Sequence, residues 1–179
     1  GVRTEFMYDE AGNLTGVDDA MGGETRYSYD PGGNLLTITD PNNHTTTFTY
    51  DELGRKTSRT LPEGMAETWE YQDCCNASSH TDFNGATISY DYDLMKREIK
   101  RTYPDGKKIE RQYNARGQVK RVVYTGYQFS GGEAYSDRVF TYEPTTGKLI
   151  RDDKEDGQHI AYSYDVAGNL IETSYSGGH

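Results

Sequence analysis

YDEAGNL, residues 8–14, returns as YDPGGNL at 29–35, YDELGRK at 50–56 and YDVAGNL at 164–170. The spacing of these copies decides the fold. Tyr8, Tyr29, Tyr50, Tyr71, Tyr92 and Tyr113 stand 21 residues apart at every step. A fixed period of about 20 residues is the mark of stacked supersecondary units, each too small to bury its own face alone. The step to Tyr142 is 29 residues and the step to Tyr164 is 22. The first irregularity places a hairpin loop insertion in the Gly- and Ser-containing stretch 124–137. The second is explained by YEPTTGKL at 142–149, where Gly147 comes five places after its tyrosine instead of four.

Two turn signals alternate within a unit. One is the Tyr-Asp-x-x-Gly motif itself. The other follows about eleven residues after the tyrosine, as DPNN at 40–43, LPEG at 61–64, DFNG at 82–85, YPDG at 103–106 and KEDG at 154–157. Pro presets φ near -65°, Asp and Asn bond their own backbone, and Gly accepts a positive φ, so both signals predict hairpin turns.

The segments between turns have strand length. Those entering the motif alternate, as in Phe6-x-Tyr8, Tyr27-x-Tyr29, Phe48-x-Tyr50, Trp69-x-Tyr71, Tyr90-x-Tyr92, Phe140-x-Tyr142 and Tyr162-x-Tyr164. A period of two puts both rings on one face. Arg111 interrupts the series before Tyr113. The outgoing segments start with Leu14, Leu35, Val119, Leu149 and Leu170, but with Lys56, Ala77 and Glu98 in the middle repeats, which should pack less well or face something different. No apolar pattern of helical period and length occurs. The expected fold class is all-β: about fifteen short strands in tandem antiparallel β-hairpin repeats, forming one continuous, meandering, curved sheet. Residues 1–179 read as a single array of about eight repeats, an internal fragment of a longer chain.

Composition agrees with a thin fold. Hydrophobic residues make up 33% and charged residues 27%, with 20 Gly and a mean hydropathy of -0.93. The 16 Tyr, 5 Phe and single Trp are the exception; disordered chains are poor in aromatics, so this one folds around phenol rings. A net charge of -10 speaks against nucleic acid as a partner. No apolar run reaches the roughly 18 residues that span a bilayer, which speaks against membrane insertion. The basic runs KREIKR and KKIER read as the polar face of a strand pair.

The tandem Tyr-Asp motifs with Gly-Asn or Gly-Arg, the second turn and the period near 21 resemble the YD repeats of the RHS family across nearly the whole chain. That family includes bacterial polymorphic toxins, the B and C components of insecticidal toxin complexes, wall-associated proteins and teneurins. The resemblance implies a strip of hairpins that spirals into a hollow shell. In the toxin members the shell encloses a C-terminal toxin domain, and the setting is secreted or cell-surface. It also implies a self-cleaving, Asp-containing segment near the end of such shells, which IETSYSGGH does not carry.

Some copies depart from the motif. YQDCCNA at 71–77 has Gln72 for Asp and Cys75 for Gly, YDLMKRE has Lys96 for Gly, and YNARGQV has Asn114 for Asp. If the Gly place needs a left-handed backbone, Cys75 and Lys96 each cost about 1 kcal/mol. Repeats four and five should therefore be the least regular.

Candidate residues are read accordingly. The repeat-motif positions are Tyr8, Asp9, Gly12 and Asn13; Tyr29, Asp30, Gly33 and Asn34; Tyr50, Asp51, Gly54 and Arg55; Tyr71; Tyr92 and Asp93; Tyr113 and Gly117; Tyr142 and Gly147; Tyr164, Asp165, Gly168 and Asn169. Their recurrence argues for architecture, with each Asp tying down a turn. A row of similar corners does not supply the facing acid and base of a glycosidase. No catalytic, cofactor or metal site is expected. The four histidines fall at unrelated phases, and DDKEDG at 152–157 reads as a solvated turn because Lys154 and Ser163 occupy calcium-ligand places. Cys74 and Cys75 are the candidate private feature: two free thiols, or more sharply a vicinal disulfide.

These residues support a non-catalytic structural segment that encloses or displays another polypeptide. Its partners would be the rest of its own chain and an enclosed toxin domain, with self-association through edge strands. The alternative is cell-surface adhesion or carbohydrate binding by exposed aromatic rows. Burial of the motif tyrosines separates the two.

Overall fold

The computed structural model describes residues 3–127 and 137–176. All regular structure in them is β, and every strand pair is antiparallel. Residues 128–136, the larger part of the expected loop insertion, lie outside the described residues, as does His179.

Backbone contacts group the chain into two units, Gly1–Thr87 and Ile88–His179. The first holds β1 (Glu5–Tyr8), β2 (Leu14–Asp18), β3 (Glu24–Tyr29), β4 (Leu35–Thr39), β5 (Thr45–Tyr50), β6 (Lys56–Thr60), β7 (Ala66–Tyr71) and β8 (Ala77–Thr81). Each of these pairs with the next in chain order.

The second unit holds β9 (Thr87–Tyr92), into which the boundary falls by one residue, β10 (Glu98–Thr102), β11 (Lys108–Tyr113), β12 (Val119–Thr125), β13 (Asp137–Tyr142), β14 (Leu149–Lys154), β15 (His159–Tyr164) and β16 (Leu170–Ser176). These too pair in chain order.

Both turn types close in the same way. At the motif, Asp30 N–H donates to Asn34 O at 2.9 Å and Gly33 N–H donates to Asp30 O at 3.0 Å. At the second turn, Asp40 N–H donates to His44 O at 2.9 Å and Asn43 N–H donates to Asp40 O at 3.0 Å. The fourth residue of the regular four-residue turn takes a left-handed backbone, and Gly33 supplies it at φ 83°. Asn43 at 64° and Lys96 at 63° adopt it without being glycine. Cys75 is not among the described residues with positive φ, so the strain expected there is absent: the fourth corner is rebuilt as a run of bends.

The motif corner also shifts register. Tyr29 pairs Leu35, whereas Ser28 pairs Thr37, leaving one outgoing residue over as a bulge. The same shift follows Tyr8, Tyr50, Tyr71, Tyr113, Tyr142 and Tyr164. Bulges aim the side chains beyond them and increase local twist. Here each sets an outgoing residue against the incoming ring: Tyr27 faces Ile38, Phe48 faces Arg59, and Trp69 faces His80.

The core is as thin as the composition implied. Among the described residues Val122 is the one buried hydrophobic side chain, and Asp152, 1% exposed, is the most buried of all. Most strand residues are half-buried. The strands exposed almost throughout are β1, including Phe6 and Tyr8, and β16, including Leu170, Ile171 and Tyr175, while β7 and β9 expose alternate residues. No helix among the described residues is long and apolar enough to cross a membrane.

Candidate functional site

The recurring corner is the feature on which the motif residues converge. Its tyrosine ends the incoming strand and reaches back one repeat. The Tyr29 hydroxyl donates to Leu14 O at 2.9 Å, Tyr71 to Lys56 O at 2.9 Å, Tyr113 to Glu98 O, Tyr142 to Val119 O and Tyr164 to Leu149 O, the last three at 2.8 Å. Each acceptor is the first residue of the preceding outgoing strand. Tyr50 and Tyr92 are half-buried in the equivalent place, and Tyr8, in β1, is exposed.

The aspartate works within its own turn. Asp30 Oδ1 accepts the N–H groups of Gly32 and Asn34, both at 2.9 Å, and its Oδ2 accepts Asn34 Nδ2 at 2.9 Å. Asp9 and Asp165 bind Asn13 and Asn169 in the same two-point way. Asp51 and Asp93 take arginine instead, with Nε of Arg55 and of Arg97 each at 2.7 Å. The side-chain donor and then the turn amides hold these carboxyls below their ordinary range. Asn114 substitutes for Asp, accepting Gln118 N–H at 3.0 Å and donating to Gln118 Oε1 at 2.9 Å. Glu143 leads the lengthened corner, where Thr145 and Thr146 lower it to about 2. These carboxylates are spent as turn acceptors, so none faces a second carboxylate as acid to base.

Sequence reasoning placed Asn13, Asn34, Arg55 and Asn169 in the motif but gave no role of its own to the residue after the motif glycine. It is Asn13, Asn34, Arg55, Asn76, Arg97, Gln118, Lys148 and Asn169 in turn, always a side chain with N–H donors, which was the available signal. Beyond binding its own corner it reaches the next one. Arg55 donates to Asp73 O and stacks 4.3 Å above the Tyr71 ring. Arg97 lies 4.4 Å over Tyr113, and Lys148 lies 4.9 Å over Tyr164. Gln118 Nε2 donates to Gly147 O at 2.5 Å. Gly12, Gly54, Gly117, Gly147 and Gly168 take left-handed φ between 73° and 93° at these corners.

The middle repeats carry charge where others carry aliphatic and aromatic groups, and the charges pair. In the first unit Glu67, with a side chain 13% exposed, lies 3.2 Å from Arg59 and 3.3 Å from His80. His80 stacks on Trp69 with centroids 4.9 Å apart, and Lys56 Nζ sits 4.0 Å above the same indole. In the second unit Glu98 joins Arg101 at 2.7 Å and also Arg111. That contact explains the ring missing before Tyr113, since Arg111 answers the acid standing where other repeats have leucine. The basic runs are thus tied to acids, with Lys100 also 3.7 Å from Asp91. A shallow groove of about 600 Å³ among Asp91, Arg97, Lys100, Glu110 and Arg111 is lined by these side chains, most of them already paired.

Two expectations are corrected. DDKEDG is not solvated throughout: Asp152 is buried and paired with Arg138, while the turn itself begins at Lys154. Cys74 and Cys75 are joined by a disulfide, not free. Asp73 and the two cysteines are the described metal-ligating side chains that cluster, within 4.8 Å, but the disulfide occupies both sulfurs.

The family model described as "Teneurin YD-shell" matches residues 1–131. No curated protein sequence matches the chain. The fold is similar to that in a crystal structure of TcdB2-TccC3 without its hypervariable C-terminal region, with a TM-score of 0.67 at 18% identity over 97% of this chain and 10% of that one. It is also similar to a Photorhabdus luminescens Tc holotoxin pore, with a TM-score of 0.54 at 18% identity over 97% of this chain and 9% of that one. The chain therefore spans about a tenth of the length of the structures it resembles.

Proposed function

Because the chain belongs to the teneurin YD-shell family, we propose that it is a non-catalytic wall segment of a larger secreted or cell-surface shell, whose work is to enclose or display another polypeptide. The observation that carries this reading is the use of the motif chemistry. The carboxylates bind their own turn amides, and the tyrosine hydroxyls bind the backbone of the preceding repeat. Groups committed to neighbouring backbone serve rigidity, and repetition extends that rigidity from repeat to repeat. The occupant in the toxin-like case is a C-terminal toxin domain of the same parent chain. The toxin-complex neighbours support that choice through their fold alone.

The adhesion or carbohydrate-binding reading draws on the aromatic rows, but outside β1 those rings are half-buried, and the hydroxyls of Tyr29, Tyr71, Tyr113, Tyr142 and Tyr164 bind backbone. Hydrogen exchange on the full-length parent protein separates the two. A wall segment shows slow exchange along the incoming strands, exchange that is faster at β11 when Tyr113→Phe removes the link to Glu98, and no saturable glycan binding. Saturable binding abolished by Phe48→Ala, with exchange unchanged, would overturn the shell reading.

A further inference from the structure

Cys74 and Cys75 are the only cysteines of the chain, and they are bonded to each other in the one corner that lacks both the motif aspartate and the motif glycine. Such a bond is a poor staple. Disulfides stabilise chiefly by closing loops in the unfolded chain, and one between neighbours closes none of consequence. Stability therefore does not explain the pair.

Its position favours exchange instead. Both residues are exposed. Their Cα atoms are 3.8 Å apart, below the roughly 4.4–6.8 Å of ordinary disulfides, and bonds outside that range reduce more readily. Exposed, constrained disulfides are the labile and regulatory ones.

The bond also sits where its state would be felt. Asp73 stands one place later than the motif aspartate, and its Oδ1 accepts Cys75 N–H at 2.9 Å and Asn76 N–H at 3.3 Å. The Asp73 carbonyl is the anchor that Arg55 reaches from the third corner, and Arg55 at the same time covers Tyr71. A change in the 73–75 backbone therefore acts on a contact between repeats. The single tryptophan, Trp69, lies two residues before Tyr71 on β7 and reports on that strand.

We propose that Cys74–Cys75 is a reversible oxidation site, opened by external thiols of the glutathione or dithiol class, and that its state sets the order of the fourth corner and of the Arg55 tether to it. In opening, an external thiolate attacks one sulfur, the sulfur–sulfur bond breaks, and a mixed disulfide forms. A second thiol displaces the protein sulfur. Two electrons and two protons end on the Cys74 and Cys75 thiols, and the reagent leaves as its own disulfide. Closing is the reverse, with oxidised glutathione as the acceptor.

The test equilibrates the full chain in glutathione buffers of graded poise, traps free thiols with a maleimide mass tag, and follows amide exchange and Trp69 emission. The expected result is two tags gained within the glutathione range, sheet circular dichroism retained, and exchange over residues 73–77 rising about tenfold, reversed by oxidised glutathione. The double variant C74S/C75S should exchange like the reduced protein at that corner. The proposal fails if both thiols take the tag before any reductant is added, or if the bond opens only in denaturant. It fails equally if opening, or the double variant, leaves exchange at 73–77 as in the oxidised protein.

Discussion

Arg55 holds its guanidinium carbon 4.3 Å above the centre of the Tyr71 ring while its Nε binds Asp51 at 2.7 Å, so one side chain closes its own corner and covers the tyrosine of the next repeat. The two functions can be separated by substitution. Asn is the residue that corners one, two and eight use in this place, and it keeps the bond to the aspartate without reaching the next ring. Arg55→Asn should therefore cost less than Arg55→Ala. Expected losses are about 0.5–1 kcal/mol for the asparagine and about 1–2 kcal/mol for the alanine, from urea unfolding curves. Equal losses would mean that the stack on Tyr71 contributes nothing.

The hydroxyl links should behave as independent repeats of one interaction. Tyr29→Phe and Tyr71→Phe each remove a bond to a backbone carbonyl of the preceding repeat and leave the ring in place. Each should cost about 1 kcal/mol, and the double variant about the sum, since the sites share no partner. Unfolding midpoints that do not move on loss of either hydroxyl would remove these links from the account of rigidity.

Acid should loosen the corners in a defined window. Asp9, Asp30, Asp51, Asp93 and Asp165 lie below the ordinary 3.8, first because of the side-chain donor that follows the glycine or lysine. A depressed folded value means that the unfolded chain takes up protons first as pH falls. The stabilisation is therefore whole above 3.8 and is lost as pH passes down through the lower folded values. Glu143 extends the effect from 4.5 to about 2. The urea midpoint should fall steadily across this range, and Glu143→Gln should flatten its own share. A midpoint constant from about pH 5 to 2 would contradict the carboxylate bonds.

What the chain reveals about itself divides along local and non-local lines. The period, the two turns and the shared face of the rings follow from neighbouring residues, because Asp-x-x-Gly fixes a turn and alternation fixes a face. Sixteen described strands accordingly stand close to the fifteen expected. The charged middle repeats were not legible in the same way. Whether Glu98 is a defect or half of a pair depends on Arg111, thirteen residues away and brought beside it only by the hairpin. Asp152 is buried against Arg138 for the same kind of reason. The fourth corner stood out by its departures from the motif, but the turn pattern does not encode whether its cysteines are two thiols or the disulfide they form.

That pairing gives the sharpest prediction. Glu98 and Arg111 face each other with side chains 19% and 24% exposed, and Arg101 shares the carboxylate at 2.7 Å. Other repeats hold an aliphatic residue in the first place and a ring in the second, as Leu14 and Tyr27 or Leu35 and Phe48 do. Glu98→Leu alone leaves two half-buried cations without their acid, and Arg111→Phe alone leaves the acid with one partner fewer. Each should cost about 1–2 kcal/mol, the glutamate more, because a part-buried charge that loses its partner is penalised beyond the value of the pair. The double variant E98L/R111F rewrites the site to the pattern of its neighbours and removes both charges together. It should recover to within about 0.5 kcal/mol of the native chain, giving a favourable coupling in the double-mutant cycle. Strictly additive losses would show that the two residues act separately and that the charged pair does not substitute for the usual ring and aliphatic contact.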